Sequence, residues 1–257
     1  MSPIRPALAL CALLACAWPA ARADEPVQSV HVTGITDPEM RSYRSVAAGL
    51  DAFDAHRALA PNATLRFRMR HKNGQPATAA DGLQLRLASD DGSFQEIVPI
   101  DAAGLLTVDR NRAAYDADAT FILNQKNGRY TGHPEVRTAG LADNVRRMGD
   151  LRLECRVTIA IFKEQVPFLA KATLNTLMLT SDWCAKREFK YGALAPRPGA
   201  KGVLRDGERS RTLETHGWDV IVPIGDPGWS DDALVQFDEG APDDVTRTAD
   251  GTPRTAP

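Results

Sequence analysis

Along Leu151–Ile161 every second residue is apolar: Leu151, Leu153, Cys155, Val157, Ile159 and Ile161 alternate with Arg152, Glu154, Arg156, Thr158 and Ala160. Successive side chains of a strand point to opposite faces. A period of two sustained over eleven residues therefore predicts a long strand with one buried face. Such a strand needs partners, and the flanking sequence offers them. Thr64–His71 sets Leu65, Phe67 and Met69 on one side and Arg66, Arg68 and Arg70 on the other, which reads as a solvated arginine face. Further strands are predicted at Val27–Val32, Leu83–Ala88, Phe94–Ile100, Leu105–Val108, Thr120–Leu123, Trp218–Ile224 and Leu234–Phe237. Asn73-Gly74, Asp91-Gly92 and Asp206-Gly207 supply turns between neighbouring strands.

Helical signals are fewer. Asp37-Pro38-Glu39 combines an N-cap residue, a first-turn proline and an acid suited to the helix dipole, so a helix is predicted to begin there. Met40, Tyr43, Val46, Leu50 and Phe53 continue it as one apolar stripe ending near Pro61. Val166–Leu179 is apolar enough for helix or strand, and Pro167 with Leu169, Ala170 and Lys171 favours helix. The expected fold is mainly β and β-sandwich-like, with an N-terminal helix and a second helix near 166–179. The organisation reads as a strand and helix over 24–61, a first β unit over 62–125, a connecting segment over 126–150 lacking alternation, a second β unit over 151–238, and a disordered tail over 239–257 that is poor in large apolar residues.

The two β units share landmarks. Asp91-Gly92 and Asp206-Gly207 are followed by apolar strands ending at Val108 and Val222, and then by Asp118-Ala119 and Asp232-Ala233, each opening a last strand. An internal duplication and the common occurrence of these dipeptides near turns both fit. Arg70-His71-Lys72-Asn73-Gly74-Gln75-Pro76 and Ile100-Asp101-Ala102-Ala103-Gly104-Leu105-Leu106-Thr107-Val108 give residues 62–125 a turn grammar that resembles carboxypeptidase regulatory-like and transthyretin-like β-sandwich modules. The resemblance implies a seven-stranded, non-catalytic sandwich that supports, displays or binds something, with no catalytic residues to carry over.

Arg5, the apolar run Ala7–Trp18 and Ala21-Arg22-Ala23 read together as a secretory signal over 1–23, cleaved between Ala23 and Asp24. The run is too short to span a bilayer, which takes about 20 residues. Leu13-Leu14-Ala15-Cys16 also fits the pattern of a lipoprotein signal, in which Cys16 would carry a lipid anchor. The expected location is periplasmic or secreted, or membrane-held through Cys16. Loss of Arg5 and Arg22, with no acid, moves the net charge from −2 to −4, which disfavours nucleic acid as a partner. Of four cysteines, Cys155 and Cys184 remain beyond the signal. In an oxidising compartment they are expected to form a disulfide.

The residues point to no catalytic, cofactor or metal motif. His31, His56, His71, His133 and His216 are scattered, and neither a G-x-S-x-G elbow nor a phosphate loop occurs. Asp90-Asp91, Asp231-Asp232 and Asp243-Asp244 sit where turns are expected. His216, Trp218 and Trp229 form the candidate binding group, because exposed tryptophan stacks on sugars or anchors a protein partner; core or edge packing would use the same residues. The expectation is an exported, non-catalytic envelope or secreted protein that binds a protein or carbohydrate or serves as a structural accessory. The alternatives are a lipoprotein assisting envelope assembly, and a hydrolase whose polar residues converge from several loops.

Overall fold

At Asn73-Gly74, Asp91-Gly92 and Asp206-Gly207 the chain reverses with glycine at φ of 92°, 73° and 59°, a region that side chains with a Cβ avoid. The computed structural model describes residues 36–166 and 181–238. Cys16, Ala23 and Asp24, the strand expected at Val27–Val32, nearly all of the helix expected at 166–179 and the tail from Glu239 lie outside the described residues. Those described are mainly β, with fourteen strands in four antiparallel sheets.

The same topology occurs twice. Strand β1 (Pro38–Ser42) runs directly into helix α1 (Tyr43–Ala55), followed by β2 (Ala63–His71), the hairpin β3 (Leu85–Ala88) and β4 (Gln95–Val98), β5 (Leu105–Leu106), a short α2 (Arg112–Asp116), β6 (Thr120–Lys126) and β7 (Tyr130–Thr138). Strand β8 (Val145–Arg147) then runs directly into α3 (Met148–Gln165), followed by β9 (Tyr191–Leu194), the hairpin β10 (Gly202–Asp206) and β11 (Arg209–Leu213), β12 (Thr215–His216), β13 (Asp219–Val222) and β14 (Leu234–Phe237). Sheets β1-β6-β3-β4 and β8-β14-β10-β11 share one order, and β2 pairs with β5 as β9 pairs with β13. The Asp-Ala landmarks act identically. The Ala119 carbonyl accepts from the Tyr43 N–H at 2.9 Å, and the Ala233 carbonyl accepts from the Met148 N–H at 2.8 Å, so each dipeptide ties a last strand to the first residue of its helix. The halves differ at one edge, where β7 lies on β2 in the first and β12 on β13 in the second.

Residues Leu151–Ile161 are helix α3 rather than the predicted strand. Positions two apart on a helix lie about 200° apart, so an alternating pattern describes two opposite stripes as readily as one strand face. Leu153, Val157 and Ile161 enter the core of the first unit, whereas Leu151, Cys155 and Ile159 face that of the second. Helix α3 is thus shared by both halves. It packs closely on α1 at Gly49, where a Cβ would stand 2.6 Å from Ile161 Cγ1.

Two further expectations change. The helix begins at Tyr43 and not at Asp37-Pro38-Glu39, because Asp37 has a φ of 57° and Pro38–Ser42 pairs with β6; proline is tolerated at the start of an edge strand. The connecting segment 126–150 contains β7 and β8. Gly132 and Pro134 hide β7, but it is the edge of β5-β2-β7, where a missing N–H is tolerated. The units therefore extend beyond 62–125 and 151–238: residues 24–61 contribute β1 and α1 to the first, and β8 begins the second.

Candidate functional site

The two sheets of the first unit enclose a cavity of about 250 Å³. Its interior is lined by Phe67, Met69, Leu85, Leu106, Phe121 and Leu123 from the strands, Val46 from α1, and Ile161 from α3. Its mouth is formed where β1, β7 and the last turns of α3 meet. Met40 is 49% exposed there and Phe162 42%, two of the five large apolar side chains that stand out among the described residues. For comparison, a 150 Å³ apolar cavity engineered in another protein stays dry and takes up benzene. The present cavity has room for about ten heavy atoms on that scale.

Polar groups ring the mouth. Arg41 donates to Gln165 Oε1 at 2.8 Å, bridging β1 and α3, and the Gly128 N–H donates to Glu39 Oε2 at 2.8 Å. On β7, Thr131 Oγ1 and His133 Nε2 lie 2.8 Å apart. Burial, then the Arg70 charge, push the His133 imidazole down to about 4, with Arg41 adding and Asp219 opposing; the residue keeps an exposed edge at the mouth. Neutral imidazole is the form the fold favours. The unfolded chain takes up its proton near 6.5, so the contribution of His133 to stability falls as pH drops from about 6.5 to about 4 and is level above that window. Titration followed by NMR is expected to place the His133 midpoint near pH 4; a midpoint at or above 6.5 would mean that neither the surrounding protein nor the Arg70 charge disfavours the protonated ring.

Behind β7 lies a charged network joining the units. Arg68 and Glu135 form an ion pair, and burial of Glu135 is outweighed by that guanidinium, which holds its carboxyl below the usual range. Glu154 on α3 accepts from Arg146 at 2.6 Å, from the Val136 N–H at 2.8 Å and from the Tyr191 hydroxyl at 2.8 Å. Burial works against the Arg146 charge, but Glu154 and Glu135 hold it above its ordinary value; burial and then Glu154 push the Tyr191 hydroxyl well above its own. Arg70, 7% exposed, donates to the Gly74 carbonyl at 2.8 Å and to Asp219 at 3.0 Å, and Arg68 is largely buried too, so of the solvated arginine face expected on β2 only Arg66, with its side chain 43% exposed, is solvated.

Of His216, Trp218 and Trp229, the structure withdraws one from the surface. Trp229 is 2% exposed and lies in the core of the second unit, with the Arg209 guanidinium 3.8 Å from its ring centre. Trp218 is half-buried against the first unit's turn, its Cβ 3.2 Å from where a Cβ on Gly74 would stand, and His216 is exposed beside Glu214. Cys155 and Cys184 are joined, with sulfurs 2.02 Å apart. Among the described residues no three His, Cys, Asp or Glu are grouped to hold a metal ion, and no helix is long and apolar enough to cross a membrane.

A comparison with family models, curated proteins and solved structures gives no match, so the likeness of residues 62–125 to carboxypeptidase regulatory-like and transthyretin-like modules gains no support from it. Local sequence signals do not group the cavity residues, because at all three walls of the mouth they point elsewhere: to a helix start at β1, a connector at β7 and a strand at α3.

Proposed function

We propose that this chain is an exported, non-catalytic binding protein whose first unit holds a small apolar ligand. The observation that carries the reading is the hollow core of that unit, open through a rim of exposed Met40 and Phe162. The core of the second unit buries large side chains, among them Trp229, Phe237, Met148 and Leu151. The buried carboxylates Glu135 and Glu154 are each matched to an arginine, Glu135 within the first unit and Glu154 where the two units meet. Export rests on the signal segment. Intact mass of the exported protein separates cleavage before Asp24 from acylation at Cys16.

Burying a methylene contributes about 0.8 kcal/mol. Some eight of them give roughly 6 kcal/mol before the cost of association is subtracted, so tens of micromolar is about the tightest affinity that burial of the tail supports, and sub-millimolar or weaker binding is expected. Calorimetry with decanol should show one site per chain. Gly132→Leu should abolish binding while leaving the fold intact, because a Cβ at Gly132 meets Met69 Sδ at 3.6 Å, an ordinary contact, and further atoms extend along the mouth. Undiminished binding by a folded Gly132→Leu protein would place the ligand elsewhere, and no binding by the parent protein would refute the proposal.

A further inference from the structure

We infer that the cavity takes the tail of a single-chain amphiphile with an anionic head, and that the head lies beside Arg41. The inference rests on the reading of the cavity as a ligand site and adds the chemical class of ligand.

The interior sets the tail. Its walls are apolar side chains from both sheets and both long helices, and it has room for about ten heavy atoms. That suits one unbranched chain and excludes a two-tailed lipid. Met40 and Phe162, exposed at the rim, would cover the part of the tail that emerges.

The mouth sets the head. Arg41 is half-buried, where a charge is less screened than on an open surface. It bonds to the neutral amide of Gln165, and among the described residues no carboxylate stands within ion-pairing distance of it. Elsewhere in the unit Arg44, Arg68, Arg110 and Arg112 each pair with an aspartate or glutamate, and their charge is spent there. Glu39, two residues along the same strand, already accepts the Gly128 N–H. His133 is neutral at physiological pH, so Arg41 is the cation among the described residues lining the cavity. A guanidinium left with a neutral partner at the mouth of an apolar cavity offers a carboxylate or sulfate head two parallel N–H donors.

The test is calorimetric titration of the purified protein with decanoate, decanol and decyltrimethylammonium, each below its micelle concentration. Decanoate is expected to bind one per chain and about tenfold tighter than decanol, the scale of one charge-assisted hydrogen-bonded contact, with the cationic ligand weakest. In Arg41→Gln the preference for decanoate over decanol should fall to near parity, and Arg41→Lys should restore part of it. Equal affinities in the parent protein, or preference for the cation, would overturn the inference and give the mouth to Glu39. Retention of the full decanoate preference by Arg41→Gln would overturn it as well. Failure of all three ligands to bind would instead sink the cavity reading on which it rests.

Discussion

Glu154→Gln is expected to lower the unfolding free energy by about 3 kcal/mol or more, the scale on which removing one partner breaks a buried ion pair. Glu154 and Arg146 are nearly out of contact with solvent, with side chains 6% and 3% exposed. The amide keeps the shape of the carboxylate but not its charge, so Arg146 would lose the partner that offsets its burial. Its guanidinium is already incompletely satisfied, since Nε has no hydrogen-bond partner among the described residues. Loss is compounded at the backbone, because one carboxylate oxygen serves both Arg146 and the Val136 N–H of β7. For a protein of this size the melting temperature should fall by about 6 °C or more. Replacing both partners by apolar residues, Arg146→Met with Glu154→Leu, should be far milder than the single change, since it removes the uncompensated charge together with its desolvation cost. Urea unfolding of the two single variants and the double variant decides the matter: additive losses would mean that the pair is not coupled.

The consequence reaches the cavity through α3. Glu154 fixes the middle of that helix against β7 and β9, and Thr158, Ile161, Phe162 and Gln165, one to three turns further on, form a wall of the cavity. A cavity walled by the helix shared by the two units depends on the charges that join them.

The relation between sequence and fold differs from residue to residue for physical reasons. Gly74, Gly92 and Gly207 announce their turns because positive φ is a local requirement, met by the same dipeptides in both units. Asp118-Ala119 and Asp232-Ala233 mark the repeated topology because each makes one backbone contact to a helix start. Leu151–Ile161 misleads because alternation is shared by a strand with one buried face and a helix with two, and the choice depends on a second core that no local pattern reveals. Polar burial misleads in the same way. Glu135 and Arg70 break the apolar pattern of β7 and β2 yet are buried, since each has a partner distant in sequence. The candidate site falls where these two ambiguities meet, which is why Arg41, Gly132, His133 and Phe162 could not be grouped beforehand.

Converting Cys155 and Cys184 together to alanine is expected to cost about 3 to 4 kcal/mol. The bond links residues 29 apart, and a closed loop of that size removes that much chain entropy from the unfolded state. The melting temperature should drop by about 6 to 16 °C. Alanine is the better replacement at these positions, because both cysteines are buried in the apolar core of the second unit and a serine hydroxyl there would add an unsatisfied polar group. The bond anchors α3 from its second-unit stripe, whereas Val157 and Ile161 anchor it from the first. Its loss should therefore speed unfolding of the whole chain while leaving the cavity formed at temperatures well below the transition. Calorimetric melting of the parent protein, with and without reductant, beside the double variant provides the check. Reduced parent and variant should melt near each other and below the oxidised parent. Coincident melting of oxidised and reduced parent would mean that the loop is restrained by its packing rather than by the covalent bond.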